Sequence, residues 1–224
     1  MNYTLQFGQV IDHLPYLAGG AWLSLLLATL AFFGGMVIGI LGAMAKLFGG
    51  RILASLIDGY VVFFTNTPAL VQIYFLYFGL PEFGIILPPF DAVLIGMTLN
   101  SGAYLTEIQR AGFLSIHRHE VEAAETIGLS QLQTVWYVII PHIVRTLYPA
   151  LSNQYILITL GTSMAAIFGV EELTGRALSL NAETFRSIEI FLITAGLYIA
   201  VTLAANALLI FTGRYYFRAR MRLF

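Results

Sequence analysis

Positions 14–45 contain no Asp, Glu, Lys or Arg. A run of that length exceeds the ~20 apolar residues that carry a helix across a ~30 Å hydrocarbon core. Further charge-free windows follow at 59–81, 92–106, 146–170 and 190–213. Hydrophobic residues fill 58% of 224 positions and charged residues 10%, against roughly 45–50% and about 25% in soluble domains. An all-α membrane protein is expected, since helices satisfy their own backbone hydrogen bonds in lipid. The expected unit is one transmembrane domain over 1–224, with spans at about 14–45, 55–81, 90–113, 146–170 and 188–213.

One further window, 126–144, is also free of charge but is not expected to span. It opens with Ser130, Gln131, Gln133 and Thr134 and is interrupted by Pro141 and His142, groups that are costly in lipid. Basic residues, which collect in cytoplasmic loops, give the same count. With five spans, Lys46, Arg51, Arg110, Arg118, Arg145, Arg214, Arg218, Arg220 and Arg222 share one side, leaving Arg176 and Arg186 on the other. The N-terminus is then outside and the C-terminus cytoplasmic. The first run is too long, and wrongly flanked, for a cleaved signal peptide.

Several chemistries are excluded. The chain has no cysteine, hence no disulfide and no thiolate metal site. Its four histidines show no metal-ligand spacing, and no nucleophile stands at useful spacing from a base. Lys46 is the only lysine, and it lies in no G-x-x-x-x-G-K-[ST] phosphate loop. Gly35 and Gly39, extended by Ala43, form a small-xxx-small stripe that suits close helix packing. Glu107 and Arg110, three apart, can pair on one helix face, either as an anchor or in a gate. Asn100 and Ser101, with Thr159, Thr162 and Ser163, lie near the centres of two spans, where polar groups glue helices together or line a path.

The longest polar connection, about 115–145, holds Glu122-Ala123-Ala124 with Gly128 four residues on, then Val138 and Ile140-Pro141. Residues 119–127 are good helix formers, and Gly128 is placed to end that helix. The spacing resembles the EAA loop of ABC importer permeases, with Val138 and Ile140 as conservative departures. Thr67-Pro68 with Gln72, Gly102-Ala103-Tyr104 with Glu107, and Thr162-Ser163 further resemble the polar amino-acid uptake branch.

That resemblance implies a five-helix permease bundle with a cytoplasmic coupling helix, in the bacterial inner membrane. It assigns ATPase coupling to Glu122, Ala123, Ala124, Gly128, Val138, Ile140 and Pro141. It assigns the substrate pathway to Thr67, Pro68, Gln72, Asn100, Tyr104, Glu107, Thr162 and Ser163. Separate ABC ATPase subunits would bind ATP and Mg, with no cofactor in this chain. A second permease, homologous or identical, and a periplasmic or extracellular substrate-binding protein complete the assembly, along with membrane lipid and no nucleic acid. Members of this branch often carry charged residues where this chain has Thr65-Asn66 and Leu160-Gly161, which implies either a heterodimer whose partner supplies those charges or a homodimer with weak membrane-level binding and selectivity left to the external protein. The alternative is an ion-coupled secondary transporter, for which the chain shows neither an inverted repeat nor ionisable residues at mid-membrane. With five spans, reporter tags at the C-terminus and at Gln131 read out as cytoplasmic, and one near Asn181 as periplasmic. A periplasmic C-terminal tag would make 126–144 a sixth crossing.

Overall fold

Small side chains mark the inner face of the first long helix, α1 (Leu14–Phe48). Its buried positions are Leu17, Gly20, Ala21, Ser24, Leu27, Ala28, Ala31, Gly35, Gly39, Gly42 and Ala43, while Trp22, Phe33, Val37 and Leu41 point outward. Large apolar groups outside and small ones inside are the membrane form of amphipathicity, because lipid tails accept bulk and backbones gain by close approach. The rest of the chain folds as α2 (Gly50–Thr65), α3 (Ala69–Tyr74), α4 (Pro89–Leu114), α5 (Arg118–Thr126), α6 (Gln131–Thr134), α7 (Ile140–Gly161), α8 (Leu173–Thr184) and α9 (Ser187–Phe217). The computed structural model describes residues 4–217, with no strand among them. Arg218, Arg220 and Arg222, counted above with the cytoplasmic tail, lie outside the described residues.

The main seam joins α1 to α4. A Cβ at Gly39 would stand 2.9 Å from the Leu105 carbonyl carbon, and one at Gly35 would stand 3.1 Å from the Gly102 nitrogen. Ser101 Oγ donates to Ala31 O across the same seam at 3.0 Å. The apolar core beside it includes Leu27, Ala31, Ile73, Val93, Met97, Ile158 and Phe168. A second cluster of Val10, Leu17, Leu173, Leu180 and Ile190 ties α8 and α9 to the start of α1.

A buried carboxylate locks that second cluster. Glu172 caps α8 by accepting from Gly175 N at 2.9 Å, and it also accepts from Ser24 Oγ at 2.9 Å and Tyr198 OH at 2.8 Å. Three helices thus meet on one fully buried side chain, and donors on all sides replace the water it lost.

Two helices, α1 and α9, are long and apolar enough to cross a membrane by themselves, and two bent pairs qualify jointly. The 26-residue α4 has the length for a crossing, about 39 Å at 1.5 Å per residue, and it packs against α1, α2, α3 and α7. A single rod over 55–81 does not form. Residues Gly50–Thr65 and Ala69–Phe83 meet at 101°, because Pro68 has no N–H and biases Thr67 away from the helical region. The connection 115–145 is also shorter as a loop than expected. Helix resumes at Gln131 under a Ser130/Gln133 capping box and continues to Phe168.

Both rods solve a proline in the same way. A π turn at Phe75–Gly79 precedes Pro81, and another at Val135–Ile139 precedes Pro141. Widening the helix there moves aside the carbonyls that each ring would strike. The seam gives a direct test. Gly39→Val places a branched side chain against the Leu105 backbone, which cannot yield. Overpacking of this kind costs about 1–3 kcal/mol, so the variant unfolds at lower temperature in detergent, while Gly196→Ala, with no atom near its Cβ position, unfolds with the parent.

Candidate functional site

The break between α2 and α3 strips backbone carbonyls of their helical partners inside the bundle, and neighbouring side chains answer them. Phe64 O accepts from Gln72 Nε2 at 3.1 Å and from Asn100 Nδ2 at 3.0 Å. Thr67 O accepts from Gln72 Nε2 at 3.1 Å, and Tyr104 OH reaches Thr65 O at 3.4 Å. Thr67 Oγ1 donates to Phe63 O at 2.7 Å and accepts from Gln72 Nε2 at 2.7 Å, while Asn100 Nδ2 also donates to Gln72 Oε1 at 3.1 Å. Five of the residues expected on a pathway, Thr67, Pro68, Gln72, Asn100 and Tyr104, therefore converge on one place. They form and repair the helix break, the condition on which irregular backbone is tolerated at membrane depth.

Beside the break lies a cavity of about 280 Å³, between α3, α4 and α7. Asn100, Ser101 and Tyr104 bring polar atoms to it from α4, and Gln154 does so from α7. Ala69, Met97, Leu157, Ile158, Gly161 and Met164 complete the lining, which contains no ionisable acid or base other than the Tyr104 phenol. Gln72 is buried behind Asn100 and does not line it. Gln154 escaped the sequence reading, which weighed Thr159, Thr162 and Ser163 on that span. Its signal was the adjacent amide pair Asn153-Gln154 in a charge-free window.

Of the eight expected pathway residues only Asn100 and Tyr104 line the cavity; Thr67, Pro68 and Gln72 stand at the break behind it, and Thr162, Ser163 and Glu107 lie away from both. Thr162 is buried and donates to Thr159 O at 2.7 Å, and Ser163 donates to Leu160 O at 2.9 Å. Both satisfy their own helix. Glu107 is bonded to Lys46, which also stands 2.6 Å from Asp58 Oδ1, and it accepts from Arg110 Nη2 at 2.8 Å. This cluster clamps α1, α2 and α4 together, so Glu107 serves the anchor reading.

The Glu122 segment forms a separate short helix, α5. Its end is built by Gly128 at φ +85°, with Leu129 N donating to Ala124 O at 3.1 Å and Gly128 N to Glu125 O at 2.9 Å. That paired closure needs a left-handed residue, which glycine adopts without strain. Of the helix, Ala124 alone is buried; Glu122, Ala123 and Glu125 face outward. A Cβ at Gly128 would meet no other atom of the chain within 4 Å. Val138 lies in the π turn that packs on α5, and Ile140-Pro141 opens α7 just above.

The chain belongs to the family of binding-protein-dependent transport system inner membrane components, which it matches over residues 35–222. It is similar to the glutamine transport system permease protein GlnP of Escherichia coli K12, 37% identical over 198 residues, 88% of this chain and 90% of that one. It is also similar to the L-cystine transport system permease protein TcyB of Bacillus subtilis, 35% identical over 181 residues, 81% and 77% of the two chains. A crystal structure of an amino acid ABC transporter with histidines superposes with a TM-score of 0.87 at 30% identity, over 95% of this chain and all of that one. The MetNI methionine ABC transporter, inward facing, shares the fold with a TM-score of 0.62 at 17% identity, over 86% and 94%. The chain is the permease subunit of an ABC importer, with the all-α fold of that class.

The two sides of the site separate by mutation. Gln72→Leu leaves Thr67 O without its side-chain donor, a loss of about 1–3 kcal/mol for a buried group. Its unfolding temperature in detergent therefore falls. Gln154, whose side chain makes no hydrogen bond among the described residues, tolerates Leu with no fall in that temperature.

Proposed function

We propose that the chain imports polar amino acids or related small solutes, with alternating access driven by an ATPase bound at α5. The observation that carries this reading is the form of α5: a short, outward-facing helix closed by Gly128 and set under the rod that lines the cavity. Glu122, Ala123, Ala124 and Gly128 would seat in the ATPase, and Val138, Ile140 and Pro141 would hold the rod over them. ATP and Mg belong to that partner, and this chain itself is a transporter subunit without an ATPase site. The substrate class is supported by relatives whose names specify glutamine and cystine transport.

The reading includes a bacterial inner-membrane location with the N-terminus outside and the C-terminus cytoplasmic. A substrate-binding protein delivers solute from outside, and a second permease subunit completes the passage. Asn100, Ser101, Tyr104 and Gln154 offer neutral hydrogen-bonding groups in a mostly apolar wall. A zwitterion leaving water needs charge-assisted hydrogen bonds, and these neutral groups supply few. The charges then come from a homologous partner, or selectivity rests with the external protein. Thr65 and Leu160-Gly161 keep this side neutral: Thr65 Oγ1 is used on Val61 O at 2.7 Å, and Gly161 lines the cavity.

Gly128→Asp tests the docking. It places a charged side chain and a left-handed backbone on a residue other than glycine, at a position open within this chain. The variant inserts into the membrane at the parental level but no longer copurifies with the ATPase, and uptake of radiolabelled polar amino acids by cells is lost. Normal uptake with the ATPase retained would remove α5 from the coupling role.

A further inference from the structure

We propose that Glu120 and His142 form the strut through which movement of α5 reaches α7 and the cavity wall. The inference rests on the docking of an ATPase at α5 and adds residues outside the Glu122 to Pro141 set assigned above. His142 Nδ1 stands 3.2 Å from Glu120 Oε2, joining the first turn of α5 to the first turn of α7. An Nδ1–H can donate to the carboxylate whether the ring carries one proton or two.

Geometry makes this contact more than a surface pair. Both side chains are about one-third exposed or less, at 31% and 27%, whereas Arg118 and Glu122, paired within α5 at 3.1 Å, are 93% and 62% exposed. The exposed pair joins residues of one helix, and solvent screens it. The sheltered pair joins two elements. α5 buries only Ala124, and its two backbone connections are turns, the extended His117 on one side and the left-handed Gly128 on the other. A helix held by turns at its ends and one alanine can swivel under a push. A side-chain link near its start supplies the further point of attachment that converts the push into translation.

The link lands on the right element. From His142 to Gln154 the chain climbs about 18 Å along α7 at 1.5 Å per residue, and Gln154, Leu157, Ile158 and Gly161 are cavity wall. Pro149 omits one hydrogen bond on the way, yet the helix runs through it. Packed helices of this kind move as rigid bodies. Displacement applied at His142 thus shifts the wall beside Asn100.

The test uses the complete complex, permease with its ATPase and binding protein, in liposomes. The probe is a radiolabelled mixture of polar amino acids, and the readout is uptake per ATP hydrolysed. Glu120→Ala and His142→Ala keep the ATPase bound and hydrolysing but lower that ratio about tenfold, within the span of ordinary site-to-site coupling. His142→Gln, whose carboxamide still donates to Glu120, and the exchanged pair Glu120→His with His142→Glu, both recover it. Unchanged ratios in both alanine variants, or an exchanged pair no better than the single changes, overturn the strut while leaving the docking intact. An ATPase that fails to copurify with the unaltered permease overturns the docking reading, and the strut with it.

Discussion

A helix broken inside a membrane must have its freed carbonyls met by other donors, and much of this bundle is arranged around that requirement. Pro68 stops α2, and Phe64, Thr65 and Thr67 present oxygens that no helix turn satisfies. Gln72 and Asn100 answer them with their amides and bond to each other. Because one amide comes from α3 and the other from α4, the repair also fixes α4 against the break. The cavity lies beside this junction. Polar groups needed for folding and polar groups facing the cavity are then partly the same: Asn100 has its amide nitrogen committed to the break and stands on the cavity wall.

Close packing sets the frame around that junction. Gly35, Gly39 and Gly42 let α1 approach α4 until backbone and Cβ atoms of the two nearly touch, so dispersion contacts and the Ser101 bond replace the hydrophobic drive that lipid does not provide. At one end, Glu172 gathers α1, α8 and α9; toward the C-terminal end of α1, Lys46 gathers α2 and α4 through Asp58 and Glu107. The α6–α7 rod touches this frame mainly through α4, α1 and α9. An element tied at its base to α5 and bordering the cavity higher up is suited to carry motion between them.

Two side chains expected on the pathway make hydrogen bonds to their own helix. Thr162 and Ser163 lie at mid-span in an apolar window, which is where a path or a polar contact would put them. Each instead bonds a carbonyl three residues back, an option open to any Ser or Thr in a helix and invisible in spacing. Glu107 and Arg110 were legible as a pair. Lys46, sixty-one positions earlier, was not, since nothing local announces a contact across that distance. Gln154 was passed over for a related reason: nothing in the pair Asn153-Gln154 says which amide faces a cavity until neighbouring helices close one over Gln154.

The sequence by itself determined the medium and the fold class, and it marked a short helix ended by Gly128 in the polar connection. Charge-free windows longer than a bilayer is thick admit only helices, and Gly128 after a run of helix formers can only end one. These are local consequences of composition and backbone chemistry. Tertiary structure decided the rest: the 101° break within the second expected span, the resumption of helix at Gln131, the division of polar residues between repair and cavity, and the pairing of Glu120 with His142. Each depends on which helices lie side by side, and that is settled by packing between residues far apart in the chain.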